Sequence, residues 1–202
     1  MSPSITRTPG QATWDLAYDS AWFLPLPTSD ELSADPAAED AWVDGVLAHY
    51  ADRAPVTDGD REALALTARG LLAMVDDAAT QLWFVPPGAY SDVLIGITVG
   101  DVEGLDPDRL LAEIGSLPDA TASDMIGIDT DNLGTGVLVR RTSAAMVDDV
   151  AVPIANWTVV LRKGEWVTIV EAMGSTLETF AALEQHLPRL LAGISLPDGI
   201  AP

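Results

Sequence analysis

Two apolar runs late in the chain, Ile154–Arg162 and Glu165–Ala172, are separated only by Lys163-Gly164, and this spacing constrains the fold more than any other feature. A loop of two residues that includes glycine joins antiparallel neighbours, because a parallel connection needs a dozen or more residues. The spacing predicts pairing of Arg162 with Glu165, Leu161 with Trp166, Val159 with Thr168 and Trp157 with Val170. One face of the hairpin then collects both tryptophans and their aliphatic neighbours. That face must be covered by something.

The cover is legible on either side. Ser175-Thr-Leu-Glu178 reads as a capping box, opening a helix that buries Phe180, Leu183 and Leu187, with a kink or break expected at Pro188. Upstream, Asp35-Pro36 reads as the start of a helix carrying Trp42, Val46, His49 and Tyr50. A second helix, from Thr57 or Asp58 to about Asp77, places Leu64, Ala68, Leu71, Leu72 and Val75 on one face. The Pro55 turn between them makes a helical hairpin. Strands are expected at Trp14–Tyr18, Gln81–Val85, Ser91–Val99 and Gly136–Thr142, a short helix behind Asp106-Pro107, and mainly loop over Asp119–Asp131. Residues 1–11 read as a loose arm and 197–202 as a loose tail. The expected architecture is a single α+β domain over 1–202, a mainly antiparallel sheet packed against an N-terminal helical hairpin and a C-terminal helix.

Composition allows such a core and removes several chemistries. Of 202 residues 48% are hydrophobic, none is cysteine, and 31 acids face 10 bases for a formal charge of −21. Without cysteine there is no disulfide, thiol nucleophile or Cys-ligated metal. The charge makes nucleic acid and anionic membrane poor partners and a basic protein a good one. It is spread rather than clustered, with 14 acids and 4 bases up to residue 80 and 17 and 6 beyond it. No run of 18 apolar residues occurs and the first ten residues lack the apolar stretch of a secretory leader, so a cytoplasmic location is expected.

Three segments together resemble a widespread family of small actinobacterial α+β sandwich proteins. They are the extended piece ending Trp22-Phe-Leu-Pro-Leu-Pro27, the alanine- and leucine-rich helix leading into Gln81-Leu-Trp-Phe-Val-Pro86, and the late unit from Val152-Pro-Ile-Ala-Asn-Trp157 through the hairpin to the last helix. That late unit is similar to the end of PsbP/Mog1-type domains. The likeness is one of hydrophobic pattern over nearly the whole chain. It implies a fold and non-enzymatic adaptor or assembly roles; it implies no reaction and no catalytic residues.

Direct searches for chemistry find little. Asp129-Thr-Asp131-Asn132-Leu-Gly134 begins like a calcium loop, but Leu133 and Arg140 stand where oxygen ligands are needed, so an Asx turn is expected. Asp76-Asp77 and Asp148-Asp149 read as solvated, since adjacent residues face apart. His49 and His186 lack ligand or base partners at useful spacing. Neither a nucleophile elbow nor a phosphate-binding glycine loop is present. No catalytic residue, metal or cofactor is therefore assigned.

Two surfaces remain. Trp22, Phe23 and Leu24, beside two prolines, either present an apolar patch to a partner or close a sheet edge. Trp42, His49 and Tyr50 are candidates to line a pocket between sheet and helical hairpin. The leading expectation is a non-enzymatic protein-interaction module with an acidic surface: an adaptor, assembly factor, chaperone or immunity-type inhibitor. The alternative is a small-ligand binder or an enzyme using that pocket. Sequence leaves the oligomeric state open.

Overall fold

A computed structural model describes residues 3–7, 13–116, 122–147 and 149–197. The elements in chain order are β1 (Ser4–Arg7), β2 (Trp14–Ala17), β3 (Phe23–Pro25), α1 (Ser29–Ala34), α2 (Ala38–Ala51), α3 (Asp58–Leu72), β4 (Thr80–Phe84), β5 (Leu94–Asp101), α4 (Pro107–Ser116), β6 (Ala122–Thr130), β7 (Gly134–Val147), β8 (Val150–Lys163), β9 (Trp166–Gly174), α5 (Leu177–Ala192) and β10 (Ile194–Ser195). Seven strands form one antiparallel sheet in the order β3-β4-β5-β9-β8-β7-β6, and β1-β2-β10 form a second, smaller one. The chain is α+β, as its patterning requires.

Strand alternation decides which helices go where. On one face Leu82, Phe84, Ile95, Ile97, Val159, Leu161 and Val170 pack with Phe180, Leu183, Leu187, Leu190 and Leu191 of α5, joined by Trp14, Leu16 and Ile194 of the small sheet. On the opposite face Trp83, Val85 and Leu94 pack with Val43, Val46 and Tyr50 of α2 and Leu64, Ala68, Leu71 and Leu72 of α3. The apolar stripe expected on α3 is the stripe that is buried. Val75 lies past the helix end and is half-buried. Farther along the sheet α4 lies against β8, on whose second face Thr158 and Val160 are buried.

Several local expectations are corrected. Residues 4–7, placed in a loose arm by their composition, form β1, because Ser4–Arg7 pair with Trp14–Ala17 of β2; the remainder of that arm and residues 198–202 of the tail fall outside the described residues. An additional helix, α1, precedes Asp35: Thr28 and Glu31 form its capping box, and Asp35 ends it while its Oδ1 accepts from the Ala37 amide. Residues 122–130 are strand rather than loop, since β6 pairs along its whole length with β7. The hairpin loop is Gly164-Glu165, not Lys163-Gly164: Gly164 takes the left-handed backbone (φ +61) that glycine adopts freely, which pairs Lys163 with Trp166 and Trp157 with Ala172. The shift is two residues, so every side chain keeps its expected face. Helix α5 runs unbroken through Pro188, because Leu187, Leu190 and Leu191 around it are all held in the core.

The capping box expected at Ser175 and Glu178 does not form. Asp92, 83 residues upstream, takes the Ser175 and Thr176 amides at 2.9 to 3.0 Å, the Thr176 hydroxyl at 2.6 Å, and the Ser175 hydroxyl. A carboxylate at a helix N-terminus satisfies orphan amides and complements the dipole. Burial alone would push its carboxyl up, but the hydroxyls and amides of Ser175 and Thr176 outweigh burial and hold it below the usual carboxylate range. Gly174 is required beside it, since a Cβ there would lie 2.9 Å from Asp92 Oδ1 and 3.0 Å from Val93 Cα. Asp92→Ala is expected to lower unfolding free energy by about 2–3 kcal/mol in urea titrations, the range for charged hydrogen bonds left unpaired, and Ser175→Ala by less.

Candidate functional site

The residues singled out from sequence occupy three distinct places. Phe23 is 1% exposed within the α5-side core and pairs in β3 with Phe84. Leu24 is half-buried against the helical-hairpin core. Trp22 stacks on His186 at 3.6 Å between ring centroids and packs near Phe84 at 6.0 Å. Phe23 is thus taken up in the core, while Trp22 and Leu24 are half-buried at the β3 edge of the sheet.

Trp42 donates its indole N–H to the Pro25 carbonyl at 2.9 Å and packs on Trp83. Tyr50 also packs on Trp83, with its ring centroid 5.9 Å away. The His49 Nε2 and Tyr50 hydroxyl are both buried without hydrogen-bond partners. Burial, then the charge of Arg53, lower the His49 pKa to about 4 against a smaller opposing effect of Asp52. Tyr50 lines a cavity at the turn end of the helical hairpin, beside Pro55 and the β4–β5 loop.

The calcium-like segment is a tight β6–β7 turn that serves packing. Leu133 is fully buried, Thr130 Oγ1 accepts from the Leu133 amide, and Gly134 (φ +78) sits where a Cβ would lie 2.2 Å from the Arg162 carbonyl oxygen. Asn132 Nδ2 donates to the carbonyls of Leu191 and Ile194, both at 2.8 Å, so the turn latches onto the end of α5. Among the described residues no cluster of three or more His, Asp and Glu could hold a metal. Asp76 and Asp77 accept from the Ala78 and Ser29 amides, and Asp149 is exposed at the β7–β8 turn, whereas Asp148 lies outside the described residues.

A larger cavity, about 670 Å³, lies between α5 and the β6–β8 part of the sheet. Trp157 and Leu187 contribute its apolar wall. Arg140 spans it, its guanidinium 4.7 Å from the Trp157 ring centre and paired with Glu184.

The surface least expected from sequence is an arm. Pairing of β7 with β6 ends at Thr142, and pairing of β8 with β9 ends at Ala155. Yet β7 and β8 continue together for five more pairs, from Ser143–Ile154 to Val147–Val150. Among the described residues neither edge of this overhang is paired. Its side chains carry no charge between Ser143 and Val147 or between Val150 and Ile154. Met146 is 67% and Val150 62% exposed, with Ala144, Ala145, Ala151 and Pro153 also open to solvent. Exposed apolar strands with free edges are unusual in soluble surfaces and mark contact sites. The sequence signal was available: two uncharged apolar runs are separated only by Asp148-Asp149, the spacing of a two-residue hairpin.

No known family and no curated protein matches the chain. Among solved structures it is similar to that of LpqN, described as involved in cell envelope biogenesis of Mycobacterium tuberculosis, at 14% identity and a TM-score of 0.45, over 97% of this chain and 91% of that one. The resemblance read from the sequence thus meets a loosely similar actinobacterial structure, from which no activity or partner is transferred. The cytoplasmic location expected from the sequence is corrected: it rested on the lack of an 18-residue apolar run and on the first ten residues, whereas the similar structure is of a protein described as involved in cell envelope biogenesis.

His49 provides a test of the buried imidazole. The unfolded chain takes up its proton near pH 6.5, the folded chain only near 4, so stability is lost as pH falls through that window and is unaffected above it. His49→Leu is expected to flatten the fall in chemical-denaturation midpoint between pH 6.5 and 4 relative to the parent protein.

Proposed function

We propose that the chain is a non-enzymatic protein-interaction module, an adaptor or assembly factor, whose contact element is the β7–β8 arm. The overhang is the observation that carries this reading: five strand pairs outside the sheet, apolar on exposed faces and unpaired at both edges among the described residues. Such an element can offer side-chain pockets and main-chain groups together, as in strand addition. The fitting partner presents an apolar strip bordered by basic residues, because the arm ends at Asp149 and belongs to a chain of charge −21. The hairpin leading into a terminal helix supports the expected PsbP/Mog1-type fold, whose resemblance implies the same class of role.

The experiment compares the parent protein with Met146→Glu/Val150→Glu. Both positions are exposed, so the melting temperature should change by no more than about 2 °C, in line with surface substitutions. A protein retained by the parent at low ionic strength, released by salt and absent from the double variant is the expected result. Retention of the same proteins by both would remove the arm from the interaction. Dimerisation of the parent alone, seen by sedimentation velocity, would make a second copy the occupant instead.

A further inference from the structure

The large sheet ends at β6, which pairs with β7 over nine residues without interruption. Among the described residues no strand pairs with the other edge of β6. Main-chain groups are thus offered over about 30 Å, the length of nine extended residues. Edges left to solvent are ordinarily blunted by lysine, proline or a bulge. Strand β6 carries none of the three. Two adjacent apolar side chains on it are open instead, Met125 at 60% and Ile126 at 40% exposure.

Alternation puts Asp124, Ile126 and Ile128 on one side of the strand. Ile126 and Ile128 line the cavity of about 670 Å³ together with Leu187 and Leu191 of α5. At roughly 30 Å³ per water-sized group it has room for roughly twenty heavy atoms, the side chains of several residues. Ile126 both lines this cavity and is exposed, so the cavity is reached from solvent beside the strand edge. Acids bound the apolar pair: Asp124 lies two residues before Ile126 and Asp131 three after Ile128, both exposed. Asp129 and Glu184 add to the negative charge there. Two bases nearby are engaged, Arg140 by Glu184 and Lys163 by the Asp131 carbonyl at 2.8 Å.

We propose that β6 takes up an extended segment of a partner protein as an eighth strand. The segment carries a basic residue, two apolar residues and a second basic residue at alternate positions. Its main chain pairs with the outer edge of β6, and its apolar side chains enter the cavity between β6 and α5. Its basic side chains face Asp124 and Asp131, which sets specificity and draws the segment in. A second copy of this chain is the wrong occupant, since it would set the acids of β6 against themselves. The site is separate from the β7–β8 arm and does not rest on it.

The test titrates the capped heptapeptide Lys-Thr-Val-Thr-Val-Thr-Lys, which presents one pattern in either direction, into the full chain by calorimetry. One peptide is expected to bind per chain, with the rearranged Thr-Val-Val-Thr-Lys-Lys-Thr weaker by about tenfold or more. Alternate amides of a strand point to opposite edges, so N-methylation at the two valines and at two threonines should differ. One form should bind like the parent peptide and the other about tenfold more weakly. Ile126→Lys should weaken the peptide about tenfold or more at an almost unchanged melting temperature. Asp124→Asn/Asp131→Asn, at exposed positions, should weaken it and flatten its salt dependence. Met146→Glu/Val150→Glu should bind it as the parent protein does, which separates this site from the arm. Absence of saturable binding, equal affinity for the rearranged peptide, equal binding of the two methylated forms, or a loss in the arm variant would each overturn the proposal. So would a parent dimer that Ile126→Lys makes monomeric, which would assign the edge to a second copy.

Discussion

Four consecutive side chains, Leu82 to Val85, are almost completely buried, and alternate ones enter different cores. A strand covered on both faces obliges the chain to supply apolar cover twice, once from α5 with the small sheet and once from α2 and α3. Burying one large side chain of this kind contributes about 1.5–3 kcal/mol, so exposing either face would remove a large part of a domain's marginal stability. The order of elements follows: helices arrive before β4 to cover one face, and the last helix, α5, covers the other. The Asp92 carboxylate fixes where that last helix begins, tying its first amides to the entrance of β5.

Part of the acidity is structural. Asp30 and Glu31 of α1, Glu39 and Asp40 of α2, Asp58 and Asp60 of α3, Asp108 of α4 and Glu178 of α5 all lie in first turns. There the helix dipole favours negative charge by about 0.3–1 kcal/mol each. Asp19, Asp35, Asp76 and Asp106 further accept backbone amides in turns and helix starts. What is spread evenly in sequence is thus spread because helix starts and turns are.

The parts of this fold legible in the sequence are those set by local period and by turn chemistry. The stripe of α3, the alternating face of β5 and the pairing of β8 with β9 each announce themselves within a dozen residues. Where reading failed, a distant group had won. Ser175 looks like a cap because its neighbours fit one, yet Asp92 reaches it from another strand. Pro188 looks like a breaker, yet flanking leucines hold the helix through it. The turn expected at Lys163-Gly164 lies one residue later, at Gly164-Glu165, because glycine fits more than one loop position; the pairing thereby shifts by two residues, an even number that keeps the faces right. Of the candidate residues, Tyr50 does reach a cavity, whereas Trp22, Phe23 and Leu24 are occupied by packing. The strands expected from the pattern stop at Thr142 and resume at Ile154, and only the lengths of β6 and β9 show that β7 and β8 outgrow them.

That overhang gives the acid coat a second meaning. Strand edges that are uncharged and, among the described residues, unpaired are what β-chains stack upon, and Asp149 is the charged residue at the arm's described tip. Between copies, the shared negative charge is the opposing force, and it acts over a screening length of about 8 Å at physiological ionic strength. The rest of the molecule therefore serves as an electrostatic spacer for its own arm. Salt screens that repulsion and lets two arms approach, so the chain's colloidal behaviour follows ionic strength.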